Sequence, residues 1–197
     1  AVAKGHEAIL ADHLKDFCSY YDRCRLTLTK EAVTVPTNKL ISKYATSNAS
    51  NLLLEELYFS YGRYLMICSS RGIDVPSNLQ GIWNHVNNAA WNCDIHNDIN
   101  VQMNYWPAEV TNLSDLHLPY LNYIKREACD RSQWKRNARV VSGQTKGWAC
   151  YTENNIYGSG SNWTTQYTVA NAWHCMHLWQ HYRFTLDKEY LRNIALS

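Results

Sequence analysis

Apolar side chains recur at helical spacing in separate blocks of this chain, and the blocks are divided by long stretches with no period at all. Residues 3–24 set Ile9, Leu10, His13, Leu14, Phe17, Tyr20 and Tyr21 on one helical face. Residues 50–70 do the same with Leu53, Leu57, Tyr61, Tyr64, Leu65 and Cys68, with Ser50 as a plausible N-cap and Arg71-Gly72 as a stop. Further helical patterns cover 112–129 (capped by Asn112 or Ser114), 131–141, and 166–185, where Val169, Trp173, Met176, His177 and Gln180 lie near one face. A last helix starts near Lys188. Arg25–Thr29 alternates like a short extended piece. Residues 30–49, polar and interrupted by Pro36, read as a loop or linker. The pattern predicts an all-α chain of about six helices. Its irregular stretches, 71–111 and 144–165, exceed ordinary loop length, and such loops are usually functional or disordered. Trp83, Trp91, Ile95, Val101 and Trp106 in the first of them argue against disorder. Helix pairs joined by long, side-chain-rich loops suit an α/α toroid whose loops build a site on one rim.

The composition narrows the function. Of 197 residues, 46% are hydrophobic, enough for a packed core. A net charge of +2 without a basic stripe gives no electrostatic support for nucleic acid or a membrane surface. No apolar run is long enough to span a membrane, and no signal peptide is visible. Eight Trp and fourteen Tyr against three Phe favour a wet, aromatic-lined cleft over a dry core. The seven cysteines, at 18, 24, 68, 93, 129, 150 and 175, form no CxxC pair. They read as reduced, buried small hydrophobes rather than zinc ligands. Both ends run in helical pattern, so the chain reads as part of a longer domain: residues 1–49 are a helix and linker leading in, and residues 50–197 the first part of the domain proper.

The chemistry concentrates between Asn78 and Asn112, which hold nine Asn and two Gln. Amides donate and accept hydrogen bonds, as sugar hydroxyls do. Trp83, Trp91 and Trp106 could offer flat faces to the C–H side of a sugar ring. From His96 to Asn104 the sequence alternates. As an extended strand it would put His96, Asp98, Asn100, Gln102 and Asn104 on one face and Ile99, Val101 and Met103 on the other. A polar row on a half-buried strand is costly unless it meets a ligand or itself.

These residues carry a family resemblance. Asn78–Asn84 (NLQGIWN) and His96–Glu109 (HNDINVQMNYWPAE) resemble two signatures of glycoside hydrolase family 95. Tyr61–Leu65 (YGRYL) and His177–Tyr182 (HLWQHY) resemble two more elements, in the family's order. The match runs over most of residues 50–190 and is weaker over 1–49. The resemblance implies an (α/α)6 barrel and hydrolysis of terminal α-linked L-fucose, typically α-1,2-linked, with inversion. An inverting enzyme needs an acid for the leaving oxygen and a base for a water on the opposite face, roughly 6.5–9.5 Å apart. In the family an asparagine, polarised by a later aspartate, holds that water, and the matching residue is Asn100. Where the family often has a second asparagine, this chain has Asp98. That carboxylate could polarise the water together with Asn100, or tune which sugar is accepted. His96, Asn104, Trp106, Trp83, Asn84, Gln80 and Glu153 are the candidate substrate-binding residues. The family's general acid and late aspartate fall beyond Ser197, so the chain alone is expected to release no fucose.

Three features stay outside that reading. Glu109 is expected to cap or brace the helix near Asn112. His174, His177 and His181 share one helix, with no carboxylate obvious nearby, and read as a packed set rather than a metal site. No cofactor or metal is expected. The expected partner is a fucosylated oligosaccharide or polysaccharide, with no nucleic acid and no membrane. The resemblance implies an extracellular or periplasmic location. An α-L-galactosidase and a non-catalytic glycan-binding protein on the same scaffold are the alternatives.

Overall fold

The computed structural model describes residues 2–30, 32, 34–46, 51–160 and 169–197. Ser50 and the start of the helix expected at 166 lie outside them. The described residues are largely helical, with one two-residue strand pair. They form two compact units, residues 1–67 and 68–197.

The first unit holds α1 (His6–Tyr21), α2 (Thr37–Thr46) and most of α3 (Leu52–Ser70). Asn51 caps α3: its Oδ1 accepts from the Leu54 N–H at 2.9 Å. The buried Arg63 of α3 closes the C-terminal end of α1. Its guanidinium donates to the carbonyls of Tyr21 and Cys24 at 2.7 Å and of Tyr20 at 3.0 Å. A cation here satisfies carbonyls that a helix end leaves unpaired and complements the negative end of its dipole. Residues 25–29 are held by Glu56 Oε1, which accepts from the Thr29 N–H at 2.6 Å and also from the Leu28 N–H. The expected faces need correction. No α1 side chain is fully buried, and Ile9, Leu10 and Leu14 are exposed. On α3, Tyr61 and Tyr64 are exposed, while Arg63, Met66, Ile67, Ser69 and Ser70 are buried. The loop expected over 30–49 contains α2, because Pro36 starts this helix rather than breaking it: its carbonyl accepts from Lys39 and Leu40.

The second unit carries β1 (Ile95–His96), α4 (Asn100–Tyr105), α5 (Pro107–Val110), α6 (Leu118–Lys125), α7 (Gln133–Ser142), β2 (Glu153–Asn154), α8 (Val169–Thr185) and α9 (Lys188–Tyr190). Residues 71–99 are largely irregular, as expected, but two of these helices correct the last part of that stretch, 100–110, and the reading of 96–104 as an extended row. Val101, Gln102 and Tyr105 are buried at helical spacing, and Gln102 Nε2 donates to the Asn97 carbonyl at 2.8 Å, so Gln102 does not face a ligand. The single helix expected over 112–129 is three pieces: a 3-10 turn Ser114–Leu116, α6 opened by Pro119, and a π turn Arg126–Asp130. All seven cysteines are free, as expected, but only Cys150 is buried and Cys175 is exposed.

The core is aromatic and polar at once. Tyr105, Tyr120, Tyr123 and Trp134 are fully buried, and each polar tip finds a partner. Tyr105 Oη accepts from the Ser77 N–H at 2.9 Å, Tyr120 Oη meets His174 Nδ1 at 2.5 Å, and Tyr123 Oη donates to the Asn155 carbonyl at 3.1 Å. Trp134 Nε1 donates to Asn154 Oδ1 at 3.1 Å. On α8 the buried face is Ala170, His174, His177, Leu178 and His181, not the face expected from Val169 and Met176, which are exposed.

Three donors converge on the buried Glu109. His117 Nδ1 and His181 Nδ1 each lie 2.7 Å from Oε1, and Ser114 Oγ donates to Oε2 at 2.5 Å. An ionised carboxylate only accepts, so both imidazoles donate through Nδ1. His117 Nε2 is then the acceptor for His177 Nδ1 at 3.0 Å. The chain of bonds is complete with every imidazole neutral. The expected brace toward residue 112 is present as the Ser114 bond. Burial opposes ionisation of Glu109, but the bonds from His117, His181 and Ser114 outweigh it and hold its carboxyl well below the usual range. Burial pushes His174 and His177 down to about 3 from the ordinary 6.5.

The signs agree. A depressed histidine or carboxyl contributes stability that is present above its unfolded pKa and lost as pH falls. For His174 and His177 the loss runs from 6.5 toward about 3, and Glu109 adds to it below 4.5. Urea midpoints of the chain should therefore fall steeply between about pH 6 and pH 4. Glu109→Ala, which strands three buried donors, should cost on the order of 3–5 kcal/mol at neutral pH. A flat acid profile or a cost under about 1 kcal/mol would contradict the network.

Candidate active site

The loop that leads into α4 is built around unusual backbone. Trp91, Asn92 and Cys93 have φ of 54°, 55° and 51°, and Ile99 has φ 84°. Left-handed conformation costs a non-glycine residue roughly 1–3 kcal/mol, and most of all a β-branched one. Such geometry persists only where the surroundings hold it. Here Leu79 N–H donates to the Asp94 carbonyl at 3.0 Å, and Cys93 Sγ donates to Asn78 Oδ1 at 3.0 Å. Asn78 and Gly81 exchange backbone bonds in a tight turn. Gly81 has φ 67°, and a Cβ there would stand 2.5 Å from the Trp83 ring.

On the far side, β1 pairs antiparallel with β2, Ile95 opposite Asn154 and His96 opposite Glu153. Asn97 locks this pairing: its N–H donates to the Thr152 carbonyl at 2.6 Å and its Nδ2 to the Tyr151 carbonyl at 2.9 Å. Directly opposed residues put their side chains on the same face. His96 and Glu153 therefore meet, although they come from separate loops.

The strained loop and β1 border an open hollow of about 420 Å³ lined by Leu79, Gln80, Ala90, Trp91, His96 and Asn100. Three of the residues expected at the site, Gln80, His96 and Asn100, thus share one cavity. Asn100 sits in the first turn of α4, where Ile99 redirects the chain. Behind His96 lies Asp94, whose Oδ1 is 3.2 Å from His96 Nδ1. Burial lifts the Asp94 carboxyl to about 6; His96 pulls against this, and the charge of Glu153 adds to it. Glu153 is 3% exposed and its Oε1 has no hydrogen-bond partner, nor has Asp94 Oδ2.

The other expected residues are placed differently. Asp98 is exposed and does not line the hollow, so the shared face that an extended strand would have given Asp98 and Asn100 is absent. Asn104 is exposed and donates to the Asn78 carbonyl at 3.3 Å. Asn84 closes its own turn on the backbone of Val86. Trp83 is half exposed and lies over Gly81. Trp106 belongs to a second hollow of about 210 Å³, with Tyr105, Glu109, Val110, His117, Trp173, Met176, His177 and Gln180. Trp91, noted in the sequence only as an aromatic of the stretch, lines the first hollow. Asp94 was missed; its place two residues before His96 in a strand was the available signal.

Two groups of side chains have metal-capable donor sets among the described residues: Glu109, His117 and His181, and Asp94, His96 and Glu153. In the first, both carboxylate oxygens already accept hydrogen bonds within the chain. In the second, two carboxylate oxygens are not.

The sequence matches the model of the glycosyl hydrolase family 95 catalytic domain over residues 5–197. The chain belongs to glycosyl hydrolase family 95. It is 33% identical over 199 residues to a protein named probable alpha-fucosidase A of Aspergillus niger, covering 98% of this chain and 24% of that protein. To a protein of the same name from Aspergillus oryzae it is 35% identical over 161 residues, 80% of this chain and 22% of that one. To Alpha-L-fucosidase 2 of Arabidopsis thaliana it is 33% identical over 196 residues, 93% of this chain and 22% of that one. The chain thus spans about a quarter of the length of these relatives. Within this family 95 segment, no helix among the described residues is long and apolar enough to cross a membrane.

The turn that presents Gln80 depends on Gly81. Gly81→Ala should cost about 1–2 kcal/mol for the left-handed backbone and push the Trp83 ring aside, which its exposure allows. Equilibrium unfolding and hydrogen exchange at the Asn78 and Gly81 amides check this; unchanged exchange at both amides would count against the turn as the support of the loop.

Proposed function

We propose that this chain is the early part of the (α/α)6 catalytic barrel of an inverting α-L-fucosidase, which removes terminal L-fucose, α-1,2-linked, from glycans and acts outside the cell or in the periplasm. Membership of family 95 and the names of the relatives support the substrate class. The observation that carries the reading is the hollow in which Gln80, His96 and Asn100 converge beside Trp91, with the buried Glu153 across from His96. Amide, imidazole and carboxylate suit a neutral ring with hydroxyls on every side. Trp91 supplies an aromatic face. Glu153 Oε1, short of a partner, suits a sugar hydroxyl as donor.

In this reading Asn100 holds the water that attacks the anomeric carbon. Its amide oxygen is a weak base alone and gains strength from a carboxylate. Asp98 is the carboxylate nearest in sequence, and it reaches the water only from outside the hollow described above. A general acid from beyond this segment protonates the leaving oxygen. His96 and Glu153 grip the ring, with Gln80, Asn104, Asn84, Trp83 and Trp106 bordering the glycan. Asn84 and Asn104 spend their amides on backbone here, which supports a supporting part rather than direct contact.

The test is turnover of an α-1,2-fucosylated oligosaccharide by the longer protein that carries this segment. Asn100→Ala should lower kcat by about 10²–10⁴-fold, the range for a group that activates a nucleophile in the transition state, with KM little changed. Asp98→Ala should also lower kcat if it aids the water; near-full turnover removes it from that role. Release of L-galactose in preference to L-fucose would assign an α-L-galactosidase, and binding without hydrolysis a glycan-binding protein.

A further inference from the structure

We infer that Asp94 is a positioning residue: it holds the proton of His96 on Nδ1 and thereby turns Nε2 toward the hollow as a hydrogen-bond acceptor. The inference rests on the sugar-binding reading of that hollow for its purpose, but not for its geometry.

The geometry comes from the strand. Asp94 and His96 are two residues apart, so they share one side of the chain, and Asp94 Oδ1 stands 3.2 Å from His96 Nδ1. Both side chains are largely out of solvent, at 8% and 12% exposure. The main chain around Asp94 is fixed by the bond from Leu79 N–H to its carbonyl and by the three left-handed residues before it. His96 lines the hollow, and the ring nitrogen not turned to Asp94 is Nε2. Which nitrogen of an imidazole carries the proton is set by the bond the other one makes. A carboxylate at Nδ1 accepts only, so Nδ1 carries the proton and Nε2 is left with a lone pair. Glu153, opposite on β2, is acceptor-rich as well, with Oε1 unpaired. Among the groups that line the hollow, the imidazole nitrogen is thereby set to accept a hydrogen bond, with the buried Glu153 behind it. That favours a ligand that presents a hydroxyl donor to His96, such as a sugar hydroxyl, over one that presents a carbonyl or carboxylate there.

The tautomer of His96 is read directly from its ring ¹⁵N shifts in the 197-residue chain. The expected result is Nδ1–H with Nε2 unprotonated. Asp94→Leu, which removes the acceptor while keeping the volume, should move the proton to Nε2. Asp94→Asn keeps an oxygen for Nδ1–H and should retain the wild-type tautomer. A backbone ¹H–¹⁵N spectrum reports whether each variant is folded. Nε2–H in the wild type overturns the inference without any variant, as does an unchanged tautomer in folded Asp94→Leu. Stoichiometric binding of Mn²⁺ that selectively broadens His96 also overturns it, because Asp94, His96 and Glu153 would then be metal ligands. A titration with L-fucose separates the two readings. Loss of about tenfold in affinity in Asp94→Leu, with Asp94→Asn within about twofold, is the expected result for one hydrogen bond exchanged for a donor clash. Wild-type chain that holds the Nδ1–H tautomer but fails to bind L-fucose, in the longer protein too, sinks the sugar reading and leaves the positioning intact.

Discussion

A carboxylate taken out of water with no cation beside it must be met by hydrogen-bond donors, and Glu109 meets three, each from a different part of the chain. Ser114 comes from the turn that follows α5, His117 from the start of α6, and His181 from α8. Each of these segments is thereby oriented to within the tolerance of a hydrogen bond. Trp106 joins α4 to α5 in helical conformation, so α4 runs almost straight into the helix that carries Glu109. Asn100, in the first turn of α4, therefore stands on a frame fixed by a buried polar network rather than by the loop around it. Packing adds to this frame, with Tyr105, His117 and Tyr120 stacked ring on ring at 5.0–6.0 Å.

Much of this was legible in the sequence, and the failures have physical causes. The long helices near 52–70, 133–142 and 169–185 follow from apolar spacing sustained over many residues. Over six residues, however, periods of 2.0 and 3.6 are hard to tell apart, and the alternation from His96 to Asn104 conceals α4. The same residues serve both patterns: Val101 and Tyr105 are inside as a helix requires, while Met103 is outside. α2 was hidden because a proline reads as an interruption, although one just ahead of a helix starts it. The buried face of α8 was invisible for another reason. It is made of histidines, which a hydrophobicity pattern counts as polar, and its carboxylate partner lies on a distant part of the chain. Glu109 could be read as a brace from Ser114 nearby, but not as the centre of the network.

The site was legible where motifs marked it and obscure where backbone shaped it. Gln80, His96 and Asn100 were chosen by type and motif, and the fold brings them to one hollow. Asp98 stands where the family motif often has a second asparagine, and the period-two argument puts it on one face with Asn100; Ile99 defeats that second step, because its left-handed φ breaks the extended run between the two residues. No propensity scale places an isoleucine there. The energy that holds it comes from the surrounding bonds, notably Asn97 to the backbone of Tyr151 and Thr152. Strain of this kind tends to gather where a chain must present groups that its own packing would not present.

The two buried carboxylate groups then argue against each other in a useful way. Glu109 has each of its oxygens bonded within the chain, by three donors, and its work is to hold helices. Asp94 and Glu153 are also largely out of solvent, yet each keeps one oxygen unpaired. An unsatisfied buried acceptor costs a fold on the order of 1–3 kcal/mol. Glu127, fully buried and paired with Arg131, also keeps one oxygen unpaired, so an open acceptor alone does not mark a place for a ligand. What sets Asp94 and Glu153 apart is their position, on either side of the one histidine that lines the hollow.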